Sequence, residues 1–246
     1  IEIPGNDTGF AVGSGGTIIR TTDGGITWSD MISNTTNTLK EVRIKPGIVR
    51  AIAVGENGTF MKLQNNVWSV SQIDTTDINS IAYQTSNTNR LYAVGNNGLL
   101  LTTANGGTSW IRLTSNTFNN LNYIAQNVIV GNNGTALQIN GTSTITINSG
   151  TVNDLFFASY SLLACGANGT ILRNWQPIYT LFNQRLNSII QTNNGNTFVT
   201  GENGLILFAY SSVETPNAKL LYANNISSWF RNNGSFNRDP STGNSG

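Results

Sequence analysis

The sequence predicts an all-β, six-bladed β-propeller of four-stranded antiparallel blades, and three observations predict it. The phrase Val-Gly-x-x-Gly followed by apolar residues occurs six times, with first glycines at Gly13, Gly55, Gly95, Gly131, Gly166 and Gly201; Cys165 and Thr200 replace Val in the last two copies. The steps between copies are 42, 40, 36, 35 and 35 residues, the length of a propeller blade. An apolar-x-x-apolar-x-apolar pattern precedes the phrases, and a pair of adjacent apolar residues follows each.

The elements follow in order within each repeat. The innermost strand, lining the channel, is read at Leu39/Val42/Ile44, Ile78/Ile81/Tyr83, Phe118/Leu121/Tyr123, Val152/Leu155/Phe157 and Leu186/Ile189 with Gln191, and at Ile1 and Ile3 in the first repeat. The second strand runs up to the first glycine of the phrase, as in Ala51-Ile52-Ala53-Val54. The turn is an Asn-Gly pair at 57–58, 97–98, 133–134, 168–169 and 203–204, and Gly15-Gly16 in the first repeat; both residue types tolerate positive φ. The third strand carries Ile18-Ile19, Phe60-Met61, Leu100-Leu101, Ala136-Leu137, Ile171-Leu172 and Ile206-Leu207. Two apolar neighbours in a strand face opposite ways, so each sheet must be covered on both faces. The fourth strand is expected to hold an aromatic residue, Trp28, Trp68, Trp110 and Trp175 or Tyr179, with Thr144–Ile147 and Ala218–Tyr222 filling the role elsewhere. The propeller is therefore expected over residues 1–222. Residues 223–246, rich in Asn, Ser and Gly, read as a C-terminal tail or linker, partly docked through Trp229 and Phe230.

Composition excludes several chemistries. Charged residues are 10% of the chain against a usual quarter or so, and the formal net charge is +1. No long-range field draws the chain to nucleic acid, and no apolar run is long enough for a transmembrane segment. There is no His, which removes the commonest general base and zinc ligand; no metal site and no cofactor are expected. The single Cys165 stands where the repeat has Val and reads as a small buried hydrophobe. Only 12 acidic residues occur, and Glu56 and Glu202 fall in turns separated by a blade, so no facing carboxylate pair for glycoside hydrolysis is expected. Of the Asn-x-Ser/Thr sequons, those at Asn57, Asn133 and Asn168 belong to the repeated turn and are explained by its geometry. The chain starts at Ile1 within a strand pattern and reads as a mature or excised segment.

One positional coincidence points to a partner. Arg20, Lys62 and Arg173 each lie four residues after the second glycine of their phrase, where Thr102, Gln138 and Phe208 stand in the other repeats. These three cations, with Trp229 and Phe230, are the candidate partner-binding residues; the plainer reading makes the cations solvated strand ends.

Thr21-Thr22-Asp23-Gly24-Gly25-Ile26-Thr27-Trp28 resembles the Asp-box of sialidase-like propellers, and Thr103-Ala104-Asn105-Gly106-Gly107-Thr108-Ser109-Trp110 is a second copy with Asn in place of Asp. With the glycine phrase, the repeat is similar to the photosystem II stability/assembly-factor-like propeller family, over about residues 1–222. Six repeats are counted here against seven blades in that assembly factor. The resemblance implies a propeller that binds protein and is not an enzyme. The expectation is thus a non-catalytic module binding a protein partner, or a glycan, within an extracellular, cell-surface or virion assembly. A sialidase-like glycan-processing or lectin-like propeller, and an assembly factor for a membrane protein complex, are the alternatives.

Overall fold

The structure is a computed structural model. It describes residues 7–45, 51–84, 87–159, 162–178, 180, 183–192, 194–209, 221–223, 229–232 and 235–238, with the backbone alone for 87–88 and beyond 209. Six successive antiparallel sheets follow the six repeats. The first has three described strands, β1 (Gly9–Val12), β2 (Ile18–Thr21) and β3 (Ser29–Asp30). The others have four strands each, in sequence order: β4 (Leu39–Ile44), β5 (Ala51–Gly55), β6 (Thr59–Gln64) and β7 (Val67–Gln72); then β8 (Ile78–Gln84), β9 (Asn87–Gly95), β10 (Leu100–Thr103) and β11 (Ile111–Arg112). The fourth sheet is β12 (Leu121–Ala125), β13 (Val128–Gly131), β14 (Ala136–Asn140) and β15 (Ser143–Thr146). The fifth is β16 (Leu155–Ala158), β17 (Leu163–Gly166), β18 (Ile171–Arg173) and β19 (Gln176–Ile178), and the sixth β20 (Leu186–Gln191), β21 (Thr197–Gly201), β22 (Ile206–Ala209) and β23 (Leu221–Ala223). A separate hairpin joins β24 (Trp229–Asn232) to β25 (Ser235–Arg238).

The two glycines of each phrase have different physical jobs, seen best in the third sheet. Gly95 is extended at φ −162°, a conformation open to any residue, but a Cβ there would lie 2.0 Å from the Asp77 carbonyl oxygen. That carbonyl comes so close because it accepts the Asn96 N–H at 3.1 Å. Gly98 has φ +68°, following Asn97 at φ +54°, so the Asn-Gly pair adopts the left-handed backbone read from the sequence. A Cβ on Gly98 would also sit 1.9 Å from the Thr117 carbonyl, on the segment leading into the next sheet.

The adjacent apolar pairs of the third strand do separate to opposite faces. Phe60 packs with Ile52 and Val54 against Ile78, Ile81 and Leu101 of the third sheet, while Met61 packs against Phe10 and Ile18 of the first. Leu100 faces the fourth sheet and Leu101 the second. Ile171 faces the sixth and Leu172 the fourth. Each interface is thus an apolar layer that neither sheet could bury alone. Cys165 lies in the last layer with its Sγ 3.7 Å from the Leu186 carbonyl, and burial pushes its thiol up to about 12.

Three expectations are corrected by the structure. The inner-strand pattern slips by three residues in the fourth and fifth repeats: Leu121 and Leu155, not Phe118 and Val152, occupy the place of Leu39, and Phe118 and Val152 precede the strands fully in solvent. The two-residue spacing in the pattern is a β-bulge, which simple alternation does not register. Of the fourth-strand aromatics, Trp68 lies inside its strand; Trp28 and Trp110 sit immediately before β3 and β11, and Trp175 is in the turn between β18 and β19. Trp28 is drawn there because its indole N–H donates to the Gly25 carbonyl, and Trp110 packs edge-on to Phe60 at 5.2 Å. Finally, the closed six-bladed ring is not what the described residues show. Among the described residues no extensive packing joins the sixth sheet to the first, and a Cβ on Gly204 would meet none of them within 4 Å. Ile1 and Ile3, expected as the inner strand of the first sheet, Tyr179, and 218–220 of the sixth sheet's outer strand lie outside the described residues.

The Thr21–Trp28 hairpin is held by one carboxylate. Asp23 accepts the Thr27 hydroxyl at 2.6 Å, the Thr27 N–H at 2.9 Å and the Thr21 hydroxyl at 2.7 Å. These bonds, the Thr27 hydroxyl first, lower its carboxyl from 3.8 to about 2. A depressed carboxylate stabilises the fold fully above its ordinary pKa and loses that effect as pH falls through the folded value. Exchange of the Thr27 amide proton is therefore expected to accelerate between about pH 4 and pH 2 beyond the intrinsic trend. In Asp23→Asn this step should vanish, since Asn105 already holds the second copy as a neutral amide, its Oδ1 accepting the Ser109 N–H at 3.0 Å. An unchanged step in Asp23→Asn would assign it to another group.

Candidate functional site: an amide-lined channel mouth

The bulge in the inner strand builds the site. In each four-stranded sheet one residue is left without a partner on the neighbouring strand: Lys40 between the Leu39–Gly55 and Glu41–Val54 pairs, then Asn79, Asn122, Phe156 and Asn187 at the equivalent places. A bulge bends the strand and re-aims the extra side chain. Here the repeat places these side chains at the same end of successive inner strands.

Four of these sheets line a cleft of about 510 Å³ at that end, with Asn79, Asn122, Phe156 and Asn187 in its wall beside Asp154 and Arg185. The amides also staple neighbouring sheets. Asn79 Nδ2 donates to the Leu121 carbonyl at 3.0 Å and to Asn96 Oδ1 at 2.9 Å; Asn122 Nδ2 donates to the Leu155 carbonyl at 2.9 Å and to Asn132 Oδ1 at 2.8 Å. At the fifth sheet the series changes. Phe156 offers a ring instead of an amide, and the Arg185 guanidinium lies over it at 3.7 Å, steered by a bond from its Nε to Asn187 Oδ1 at 3.1 Å. At the other end Lys40 is paired with Asp77 at 3.0 Å and bonded to Asn79 Oδ1. The Asn57 N–H first, and Lys40 as well, outweigh partial burial and hold the Asp77 carboxyl below the usual range. The mouth is therefore a set of fixed amide dipoles with a cation at one flank and a carboxylate, Asp154, beside it.

One to three residues further along the inner strands, a latch ties the sheets together. Arg43 of the second sheet pairs with Glu41 at 2.6 Å, donates to the Tyr123 hydroxyl of the fourth sheet, and stands 5.4 Å from the centre of that ring. Glu41 also accepts the Ile81 N–H of the intervening third sheet at 2.6 Å. Tyr123 stacks on Phe157 of the fifth sheet at 4.2 Å. Four sheets are tied by these side chains.

The residues singled out from the sequence lie elsewhere. Arg20 donates to Asn66 Oδ1 of the second sheet at 2.6 Å, and Lys62 to the Gly106 carbonyl of the third at 3.2 Å. Arg173 is exposed opposite Gln176. The structure does not bring these three to the channel mouth. Trp229 and Phe230 are in β24, and their side chains lie outside the described residues. Among the described residues no three His, Cys, Asp or Glu side chains converge as metal ligands, and no helix is long and apolar enough to cross a membrane.

No family model and no curated protein matches this chain. Solved structures do. One described as YCF48 bound to D1 peptide matches at TM-score 0.67 with 16% identity, over 87% of this chain and 77% of the other. The fold is a β-propeller. The WD40 propeller domain of Doa1 matches at TM-score 0.56 with 15% identity, over 86% of this chain and 72% of that domain. An ancestral GH74 enzyme matches at TM-score 0.53 with 15% identity, over 90% of this chain but 30% of the enzyme. At these identities the likeness is one of fold, and at that level the expected resemblance to the photosystem II assembly-factor-like propellers stands.

Proposed function

We propose that this chain is a non-catalytic, protein-binding propeller module whose channel mouth receives an extended segment of a partner protein. The observation that carries the reading is the repeated bulge, which turns amide side chains from successive sheets into one cleft. The Nδ2 hydrogens of Asn79 and Asn122 are spent on the staples, so these two present amide oxygens to the N–H groups of an extended main chain, while Asn187 Nδ2 and the Arg185 guanidinium are the donors for its C=O groups. A fold similar to a protein solved with a bound peptide, and to a WD40 domain, supports protein recognition. In this reading each of the six repeats is one blade, and the polar, charge-poor surface fits an extracellular, cell-surface or virion setting.

A glycan is the second reading, favoured by the Phe156 ring at the mouth and the fold shared with a GH74 enzyme. Selection from a random peptide library displayed on phage, run beside a glycan array, separates the two. Peptides should be selected, and Arg185→Ala or Asn187→Ala should weaken them about tenfold, the effect of losing one charge-assisted or well-placed hydrogen bond. Both side chains are exposed, and the one described contact either makes with a neighbouring sheet is the Arg185 guanidinium on the Phe156 ring, so the fold should survive. Lys62→Ala, remote from the mouth, should bind as the parent does. Glycan binding without peptide binding would replace the proposal with the second reading.

A further inference from the structure

Each segment leading into an inner strand carries one exposed residue three places before the strand's first buried Leu or Ile. These residues are Thr36, Thr75, Phe118, Val152 and Asn183. Three are polar. The other two, Phe118 at 93% and Val152 at 83% exposed, are large apolar side chains on adjacent sheets. Two residues further on come Asn120 and Asp154, both in the wall of the cleft. The apolar pair therefore stands on the same two segments that supply Asn120 and Asp154 to the cleft wall.

The two side chains stand on rigid supports. Before Phe118, the Ser115 hydroxyl donates its one proton to the Gly98 carbonyl at 2.7 Å, with the Thr117 carbonyl as a second acceptor within reach at 3.1 Å; after it, the Asn119 N–H donates to Thr117 Oγ1 at 3.1 Å and Asn119 Nδ2 to Thr135 Oγ1 at 2.9 Å. The same bonds recur around Val152, from Ser149 to the Gly134 and Thr151 carbonyls and from Asn153 to Thr151 and Thr170. A side chain held out on a fixed backbone loses little entropy when it is covered, which is the condition for a binding hot spot.

We infer that Phe118 and Val152 form the apolar half of the binding face, and that the partner segment carries an aliphatic or aromatic side chain beside the stretch of main chain held by the amides. This rests on the peptide-binding reading of the mouth and decides its chemistry. Phe118 offers a flat ring of the kind sugars stack on but Val152 does not, and an aliphatic side chain beside amide oxygens and the Arg185 guanidinium fits a peptide's apolar side chain. The polar residues at the equivalent places, Thr36 and Thr75, supply the substitution: Phe118→Thr and Val152→Thr recreate what two sister sheets already carry, so folding should be unaffected and melting curves should superimpose.

The probe is the set of peptides selected on the parent chain from a phage-displayed random library, measured by fluorescence anisotropy. The selected peptides should be enriched in an apolar residue at a fixed place, and the double variant should bind them at least about tenfold more weakly, while a control substitution at Thr36 changes nothing. Peptides weakened by Arg185→Ala but equally bound by Phe118→Thr/Val152→Thr would overturn this inference and leave the mouth as a peptide site. Failure to select any peptide would overturn both.

Discussion

Gly98→Ala is expected to lower the unfolding free energy by about 3–5 kcal/mol, against roughly 1–2 kcal/mol for Gly204→Ala. The two glycines hold the same place in the repeat and nearly the same φ, +68° and +71°, so the backbone strain imposed by a Cβ is common to both. They differ in what the Cβ meets. At Gly98 it would lie 1.9 Å from the Thr117 carbonyl oxygen, which is main chain and cannot rotate away; at Gly204 it meets nothing within 4 Å among the described residues. Relief at Gly98 requires pushing back the segment that holds Ser115, Thr117 and Asn119 and that positions the fourth sheet against the third. Urea denaturation of the two variants measures the difference. Equal losses of about 1–2 kcal/mol would mean that left-handed backbone alone requires these glycines, and that the close approach between repeats has no energetic weight. Equal losses of about 3–5 kcal/mol would instead show that the sixth sheet is covered in solution.

The contrast between these glycines also shows what kind of information the sequence carries. Local conformation was legible: Asn97 and Gly98 have positive φ because Asn and Gly tolerate it, and the adjacent Phe60 and Met61 face opposite ways because strands alternate. The bulge was not legible. It adds an unpaired residue whose only trace is a spacing of three between Leu39 and Val42, and a pattern matched by apolar identity alone slid onto Phe118 and Val152 in the fourth and fifth repeats. The site was hidden for a second reason. Asn79, Asn122 and Asn187 are three amides in a chain where Asn serves many turns, so nothing in the residue type separates a turn Asn from one aimed into the channel. The equivalence was present all the same, in the residue following Leu39, Ile78, Leu121, Leu155 and Leu186, once the phase of the inner strand is right. The Arg43–Tyr123 bond, between sheets that are not neighbours, has no signature in spacing at all.

That latch carries the last prediction. Arg43→Met should cost about 3 kcal/mol, because it leaves the Glu41 carboxylate, whose side chain is 15% exposed, without its cation, and the Tyr123 hydroxyl without its donor. Burial of the long Met side chain offsets the lost stem packing, so the cost reports the ion pair together with the polar contacts of the guanidinium, including the bond from Arg43 Nε to the Ile81 carbonyl at 3.3 Å. Glu41→Gln should cost less, since an amide oxygen can still accept the Ile81 N–H now bonded to the carboxylate. The informative variant is the pair. With both charges gone no uncompensated ion remains, so Glu41→Gln/Arg43→Met should be more stable than the two single losses summed, by about 1 kcal/mol or more. The latch bonds the second sheet to Ile81 and Tyr123, two residues and one residue after Asn79 and Asn122, so its loss should also weaken peptides bound at the mouth, although neither Glu41 nor Arg43 lines it. A double-mutant cycle in urea, with peptide affinity measured on the same four proteins, tests both parts. Additivity within about 0.5 kcal/mol would mean that the ion pair is not coupled, and that the width of the channel is set by the apolar layers between the sheets alone.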